Sequence, residues 1–121
     1  MTPDDLWKRY AAIWSLPAEQ RDPELAACLA DDATYCDPQG VIAGRAALSA
    51  YMGQFQAGVP GGRFQIVSAL HHHDRSLAGW RLLGPDDSVL QVGTSFAVAA
   101  PDGRLQTITG FFGPSDAPAG P

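Results

Sequence analysis

Three short clusters of turn-forming residues in the second half constrain the fold of this chain more than any other feature. They are His73-Asp74-Arg75-Ser76, Gly84-Pro85-Asp86-Asp87-Ser88 and Ala100-Pro101-Asp102-Gly103, and they divide four strand-like runs: Phe64 to His72, Leu77 to Leu83, Val89 to Ala99 and Leu105 to Phe112. A parallel pair needs a crossover of about a dozen residues or more, so connections this short make each strand the antiparallel neighbour of the next. The second half is therefore expected to form a four-stranded meander.

The first half reads as helical. Thr2 can cap a helix whose first position is Pro3, with Asp4 and Asp5 at the positive end of its dipole. Leu6, Tyr10, Ile13 and Trp14 then share one face, and Pro17 ends the pattern. Asp22, Pro23 and Glu24 predict the start of a second, shorter helix that runs to Asp31-Asp32. Gly40 to Gly44 reads as a loop, and Leu48, Tyr51, Met52 and Phe55 predict a third helix over 45–57 with Gly58 as its cap. Between the second and third helices the stretch from Ala30 to Pro38 turns extended, because Pro38 disfavours the helical region for Asp37. Alternation puts Tyr35 on the same side as Asp37 and Cys36 on the other. Asp37 then either opens a turn in solvent or faces the mouth of a cavity.

A chain of 121 residues with 45% hydrophobic content fits one domain. Residues 1–113 are expected to form it, with 114–121 a flexible tail too poor in apolar surface to order itself. The formal net charge of −5, with scattered basic residues, argues against a nucleic-acid or anionic-membrane surface. Neither a signal peptide nor an apolar run of spanning length is recognisable, so a cytoplasmic location is expected. The two cysteines, Cys28 and Cys36, read as reduced fillers, and zinc-ligand spacing is absent. No metal or cofactor is expected. Apolar residues on both sheet faces, such as Trp80 and Leu82 against Leu77 and Leu83, predict a homodimer through the face the helices leave uncovered.

Three constellations can carry chemistry. Asp37 with Tyr10 pairs a proton acceptor with a hydrogen-bond donor, the two parts needed to enolise a carbonyl compound. Alternation places His71 and His73 on one face at a strand end, where they are either polar turn residues or pocket-rim imidazoles. The aromatic residues Trp14, Tyr51, Phe55, Trp80, Phe111 and Phe112 either pack the core or line a pocket for a flat apolar ligand. On the third meander strand, Gly93, Ser95, Ala97 and Ala99 put small side chains on one face. That face either leaves a cavity open or admits another layer closely.

Arg9-Tyr10-Ala11-Ala12, the stretch from Leu29 to Pro38, Gly44-Arg45-Ala46-Ala47-Leu48 and the segments Gly103-Arg104-Leu105 and Gly110-Phe111-Phe112-Gly113 resemble the nuclear transport factor two-like superfamily. The resemblance covers nearly the whole chain apart from its end. It implies an α+β cone: a curved antiparallel sheet, made of the four-stranded meander and a short early strand, wrapped by three N-terminal helices around a pocket. Within the superfamily the chain looks most like the delta-5-3-ketosteroid isomerases, with SnoaL-like polyketide cyclases next. By that likeness Asp37 is the base, Tyr10 donates to the enolate oxygen, and Ser95 stands where the isomerases carry a protonated aspartic acid. A serine hydroxyl is the weaker donor there. Trp14, Tyr35, Tyr51, Phe55, His71, His73, Trp80 and Phe111 are then expected to contact a small hydrophobic carbonyl compound. The alternatives are a non-catalytic ligand-binding or dimeric assembly domain, and a cyclase or hydratase that uses the histidines.

Overall fold

The computed structural model of the chain describes residues 1–113. The expected tail over 114–121 lies outside them. The order of elements is α1 (Pro3–Ile13), α2 (Ala18–Cys28), β1 (Leu29–Asp37), β2 (Gly40–Ala43), α3 (Arg45–Gly58), β3 (Arg63–His72), β4 (Arg75–Leu83), β5 (Val89–Ala99) and β6 (Leu105–Phe112). Three helices and a six-stranded sheet make an α+β fold, with the strands in the order β2-β1-β6-β5-β4-β3.

Each turn cluster closes a hairpin, and β3 to β6 pair in sequence, all antiparallel. The turn between β3 and β4 is shorter than expected, because β4 begins at Arg75 and His73 turns the chain with φ 53°. That conformation takes His73 out of the strand, so the alternation pairing it with His71 stops at His72. Gly103, with φ 90°, supplies the left-handed residue of the last hairpin, and the Ala100 N–H bonds the Arg104 carbonyl across it at 2.7 Å.

Two further strands extend the expected meander. Gly40 to Ala43 is a strand rather than a loop: it folds back on β1, pairing Asp37 with Gly40 and Thr34 with Ala43. β1 in turn lies parallel to β6, with Tyr35 opposite Ile108. The sheet is therefore mixed rather than antiparallel throughout. The connection from β1 to β6 carries α3 and four other strands, and such a pairing leaves no local trace in sequence.

Thr2 caps α1 as expected: its hydroxyl accepts from the Asp5 N–H at 3.1 Å, and the Asp5 carboxylate accepts from the Thr2 N–H at 3.4 Å. α2 starts five residues earlier than Asp22-Pro23 suggests, with Pro17 rather than Asp22 at the cap position. The Pro17 carbonyl accepts from Gln20 and Arg21, so Pro17 opens α2, while α1 ends at Ile13 with Trp14 as its cap. Pro23 lies inside the helix. Its missing bond would fall on the Glu19 carbonyl, and both residues are exposed, where water can take the donor's place.

α1 lies against β3, and α2 against α3. Ile13, Cys28 and Met52 are fully buried, with Trp7, Leu25, Leu48 and Ile108 almost as deep. Burying a side chain of that size contributes about 1.5–3 kcal/mol each, which fixes the faces of α1 and α3 turned to the sheet. α2 is anchored by Arg21, whose buried guanidinium donates to Ser49 Oγ at 3.0 Å, the Leu16 carbonyl at 3.0 Å and Gln56 Oε1 at 3.2 Å. Those bonds tie the α1–α2 junction to α3, the helix that carries Tyr51 and Phe55.

Candidate functional site

Between the helices and the sheet lies a cavity of about 470 Å³. α1 contributes Trp7, Tyr10 and Trp14, α3 contributes Tyr51 and Phe55, and β1 contributes Tyr35 and Asp37. Meander strands complete it with Phe64, Trp80, Ser95, Gly110 and Phe112. Asp37 is the one lining residue, among those described, with a formal charge at neutral pH.

Asp37 is the last residue of β1, half-buried, and three donors converge on its carboxylate. Tyr35 donates to Oδ2 at 2.6 Å from the same strand face. Tyr51 donates across the cavity wall, at 2.8 Å to Oδ1 and 3.0 Å to Oδ2. The Gln39 N–H bonds Oδ1 at 2.8 Å. The two readings of Asp37 thus coexist: its carboxylate closes the turn at Pro38 and also lines the cavity. Together the donors take about three of the four lone-pair positions a carboxylate offers.

All three tyrosines are harder to ionise than a free phenol. Burial pushes the Tyr51 hydroxyl up to about 12, and its bond to the Asp37 carboxylate adds to the effect. Burial raises Tyr35 and Tyr10 further still, and the negative charge of Asp37 acts in the same direction on both. The phenols therefore remain protonated donors. The Tyr10 hydroxyl is buried with no hydrogen-bond partner among the described residues, while its ring lies edge-on to Trp7 at 6.0 Å. Leaving a buried hydroxyl unpaired costs about 1–3 kcal/mol.

Ser95 is buried and accepts the Trp80 indole N–H at 3.0 Å. A hydroxyl that accepts one bond still has its own proton to give. The small residues of β5 admit the close approach of Trp80: a side chain at Gly93 would meet Trp80 Cζ2 at 2.1 Å and the Phe111 carbonyl at 2.4 Å. Gly110 acts differently. It stands between Ser95 and Asp37, where an added Cβ would lie 3.4 Å from Ser95 Oγ and 3.8 Å from Asp37 Cβ.

Asp37, Tyr10, Ser95, Trp14, Tyr35, Tyr51, Phe55 and Trp80 thus border one cavity. The other three candidates do not. His71 and His73 are exposed at the β3–β4 hairpin, outside the lining. Phe111 is 58% exposed on the opposite sheet face, because the register pairs it with Thr94 while Gly93 faces Phe112. Parity with the buried Ile108 gives that choice between neighbouring phenylalanines, and Trp7, missed in sequence, follows from its place three residues before Tyr10.

Helices folded over one face of a curved sheet, around a cavity with a single carboxylate and several hydroxyl donors, define a small α+β pocket protein. The SnoaL-like domain family model matches residues 7–111, and the chain belongs to that family. Among solved structures, a candidate isomerase of the SnoaL-like family from Agrobacterium tumefaciens is similar over 91% of this chain and 96% of its own, at 24% identity and a TM-score of 0.85. A Catenulispora acidiphila protein with a ketosteroid isomerase-like fold, solved in complex with trimethylamine, covers 91% of this chain and 85% of its own at 17% identity and a TM-score of 0.74. A candidate ketosteroid isomerase from Kribbella flavida covers 97% and 82% at 22% identity and a TM-score of 0.68. At these identities the likeness to solved structures is one of fold. No curated protein matches the chain.

Proposed function

We propose that the protein is a cofactor-free proton-transfer enzyme of ketosteroid isomerase type, acting on a small hydrophobic carbonyl compound held in the cavity. The observation that carries this reading is the convergence on one cavity of the Asp37 carboxylate, the unpartnered Tyr10 hydroxyl and Ser95. Asp37 takes a proton from the carbon next to the carbonyl. Tyr10 donates to the oxygen on which the negative charge collects, with Ser95 as the weaker second donor. Where a double bond lies beyond that carbon, the proton then returns from Asp37 to its far end, which moves the double bond into conjugation with the carbonyl and leaves the enzyme unchanged. Aromatic walls exclude water and favour a flat apolar substrate. His71 and His73 have no part in this reading.

The test is deuterium exchange next to the carbonyl of small cyclic ketones in heavy water, followed by NMR. Asp37→Asn is expected to slow exchange by about 10²–10⁴-fold while ketone binding persists. An Asp37→Asn variant as fast as the parent would remove Asp37 from the role of base.

A second reading, a non-catalytic pocket of the same fold, is favoured by the three donors already on Asp37 and by Ser95 in place of an acidic donor. Binding of the ketones without measurable exchange would select it. In either reading the chain acts as a homodimer through the outer sheet face, where Leu70, Leu77, Phe96 and Phe111 are exposed. Light scattering is expected to give twice the chain mass, and a monomer at micromolar concentration would dismiss the pairing.

A further inference from the structure

The cavity combines one unbalanced negative charge with a nearly continuous aromatic wall. Asp37 takes part in none of the ion pairs among the described residues, and no lysine, arginine or histidine is among the described lining residues. Its three donors are neutral. They hold the carboxylate in place without cancelling its charge, and a charge facing an apolar space is best balanced by a cation.

The surroundings narrow the kind of cation. Ring centroids follow one another along the wall from Tyr51 to Trp14 at 6.1 Å, Trp14 to Phe64 at 5.5 Å, Phe64 to Trp80 at 5.2 Å and Trp80 to Phe112 at 6.1 Å. Aromatic faces attract a cation within about 6 Å of their centroids, most strongly one already stripped of water. A metal ion such as magnesium or calcium needs roughly six or more oxygen ligands, and the lining offers no second carboxylate. An alkylated ammonium ion meets both conditions, because its charge is spread over carbon-bound hydrogens that pack against rings. One N–H is enough to fill the lone-pair position left open on Asp37.

We propose that the cavity binds a small alkylated ammonium ion, with its N–H on Asp37 and its alkyl groups against Trp14, Phe64 and Trp80. This rests on reading the cavity as a ligand site, and is independent of whether Asp37 moves protons. The net charge of −5 favours the arrival of such a cation. In the enzyme reading such an ion competes with the carbonyl substrate, because it fills the position from which Asp37 takes the proton.

All three tryptophans of the chain line the cavity, so intrinsic fluorescence reports its occupancy directly. The full chain is titrated with N,N-dimethylethanolamine hydrochloride, protonated at neutral pH, and with 3-methylbutan-1-ol, its uncharged carbon isostere. 2-Naphthol serves as a neutral aromatic probe. The ammonium ion is expected to bind about tenfold or more tightly than the alcohol, and Asp37→Asn to bring the two within about twofold. Circular dichroism of that variant confirms that it is folded. Equal affinities for the two isosteres, or a preference that survives Asp37→Asn, would overturn the ammonium inference. Naphthol binding without ammonium binding sinks it too while the ligand cavity stands, and failure of all three probes removes both.

Discussion

Gly93→Ala is the most exacting probe of how the cavity wall is built. Trp80 sits opposite Gly93 in the β4–β5 ladder, and its indole crosses the space a side chain there would fill. A Cβ at residue 93 would lie 2.1 Å from Cζ2 and 2.6 Å from Cε2 of that ring, and 2.4 Å from the Phe111 carbonyl of β6. Real carbon contacts do not come so close, so both the ring and the β5–β6 backbone must move. Forcing one carbon into a packed site costs about 1–3 kcal/mol. Swinging the indole away also breaks its bond to Ser95, leaving a buried N–H without an acceptor, at about 1–2 kcal/mol more. The expected loss is therefore about 3–4 kcal/mol, a large part of the 5–15 kcal/mol by which domains are stable. Urea unfolding followed by circular dichroism measures it. With a slope near 1.5 kcal/mol per molar, the midpoint should fall by about 2 M, and tryptophan emission should change in the native baseline. Gly58→Ala is the matched control: nothing lies within 4 Å of its Cβ, at the end of α3, so a neutral or slightly stabilising effect is expected. A Gly93→Ala midpoint within about 0.3 M of the parent would refute the packing of Trp80 on β5.

Arg21→Met keeps the apolar stem but removes the donors to Ser49, Leu16 and Gln56, and should destabilise by about 2–4 kcal/mol in the same assay. Arg21→Lys should recover little of it, since an ammonium cannot span the planar fork; full recovery would show that charge alone matters there. Stability should also fall in alkali. Phenols of the unfolded chain ionise near pH 10, whereas folded Tyr51 holds its proton to about 12 and Tyr35 and Tyr10 beyond that. The folded state therefore binds more protons above pH 10, so stability is intact below that value and drains away as pH rises through about 10 to 12. Tyrosinate absorbance should then appear together with loss of the fold; a phenol that titrates near pH 10 while the fold persists would contradict the buried tyrosine set.

What was legible in the sequence was local. Turn residues at His73, Pro85 and Gly103 sit in the hairpins they announce, and α1 buries the face written by Leu6, Tyr10, Ile13 and Trp14. The parallel partnership of β1 with β6 was not legible, because it joins Tyr35 to Ile108 across most of the chain. Nor was the start of α2, since Asp22-Pro23-Glu24 imitates a helix beginning while the tertiary contacts of Arg21 hold an earlier turn in place. At the site, residue type and strand parity grouped Tyr35 with Asp37, and α3 periodicity put Tyr51 on an inward face. Only the fold brings that face to the end of β1.

Asp37 itself shows why a turn residue and a cavity residue are poor alternatives. A carboxylate has two oxygens, and the Asp-Pro turn takes only part of one, through the Gln39 N–H on Oδ1. That bond fixes the side chain against its own backbone, which is what a base or a counter-ion needs if it is to meet a ligand in one orientation. The tyrosines hold it from the other directions, Tyr35 on Oδ2 and Tyr51 across both oxygens. Pro38 ends the strand and so frees the N–H that follows to make the first of these bonds. The local signal that made Asp37 look like an ordinary turn opener is therefore part of what holds its carboxylate at the cavity.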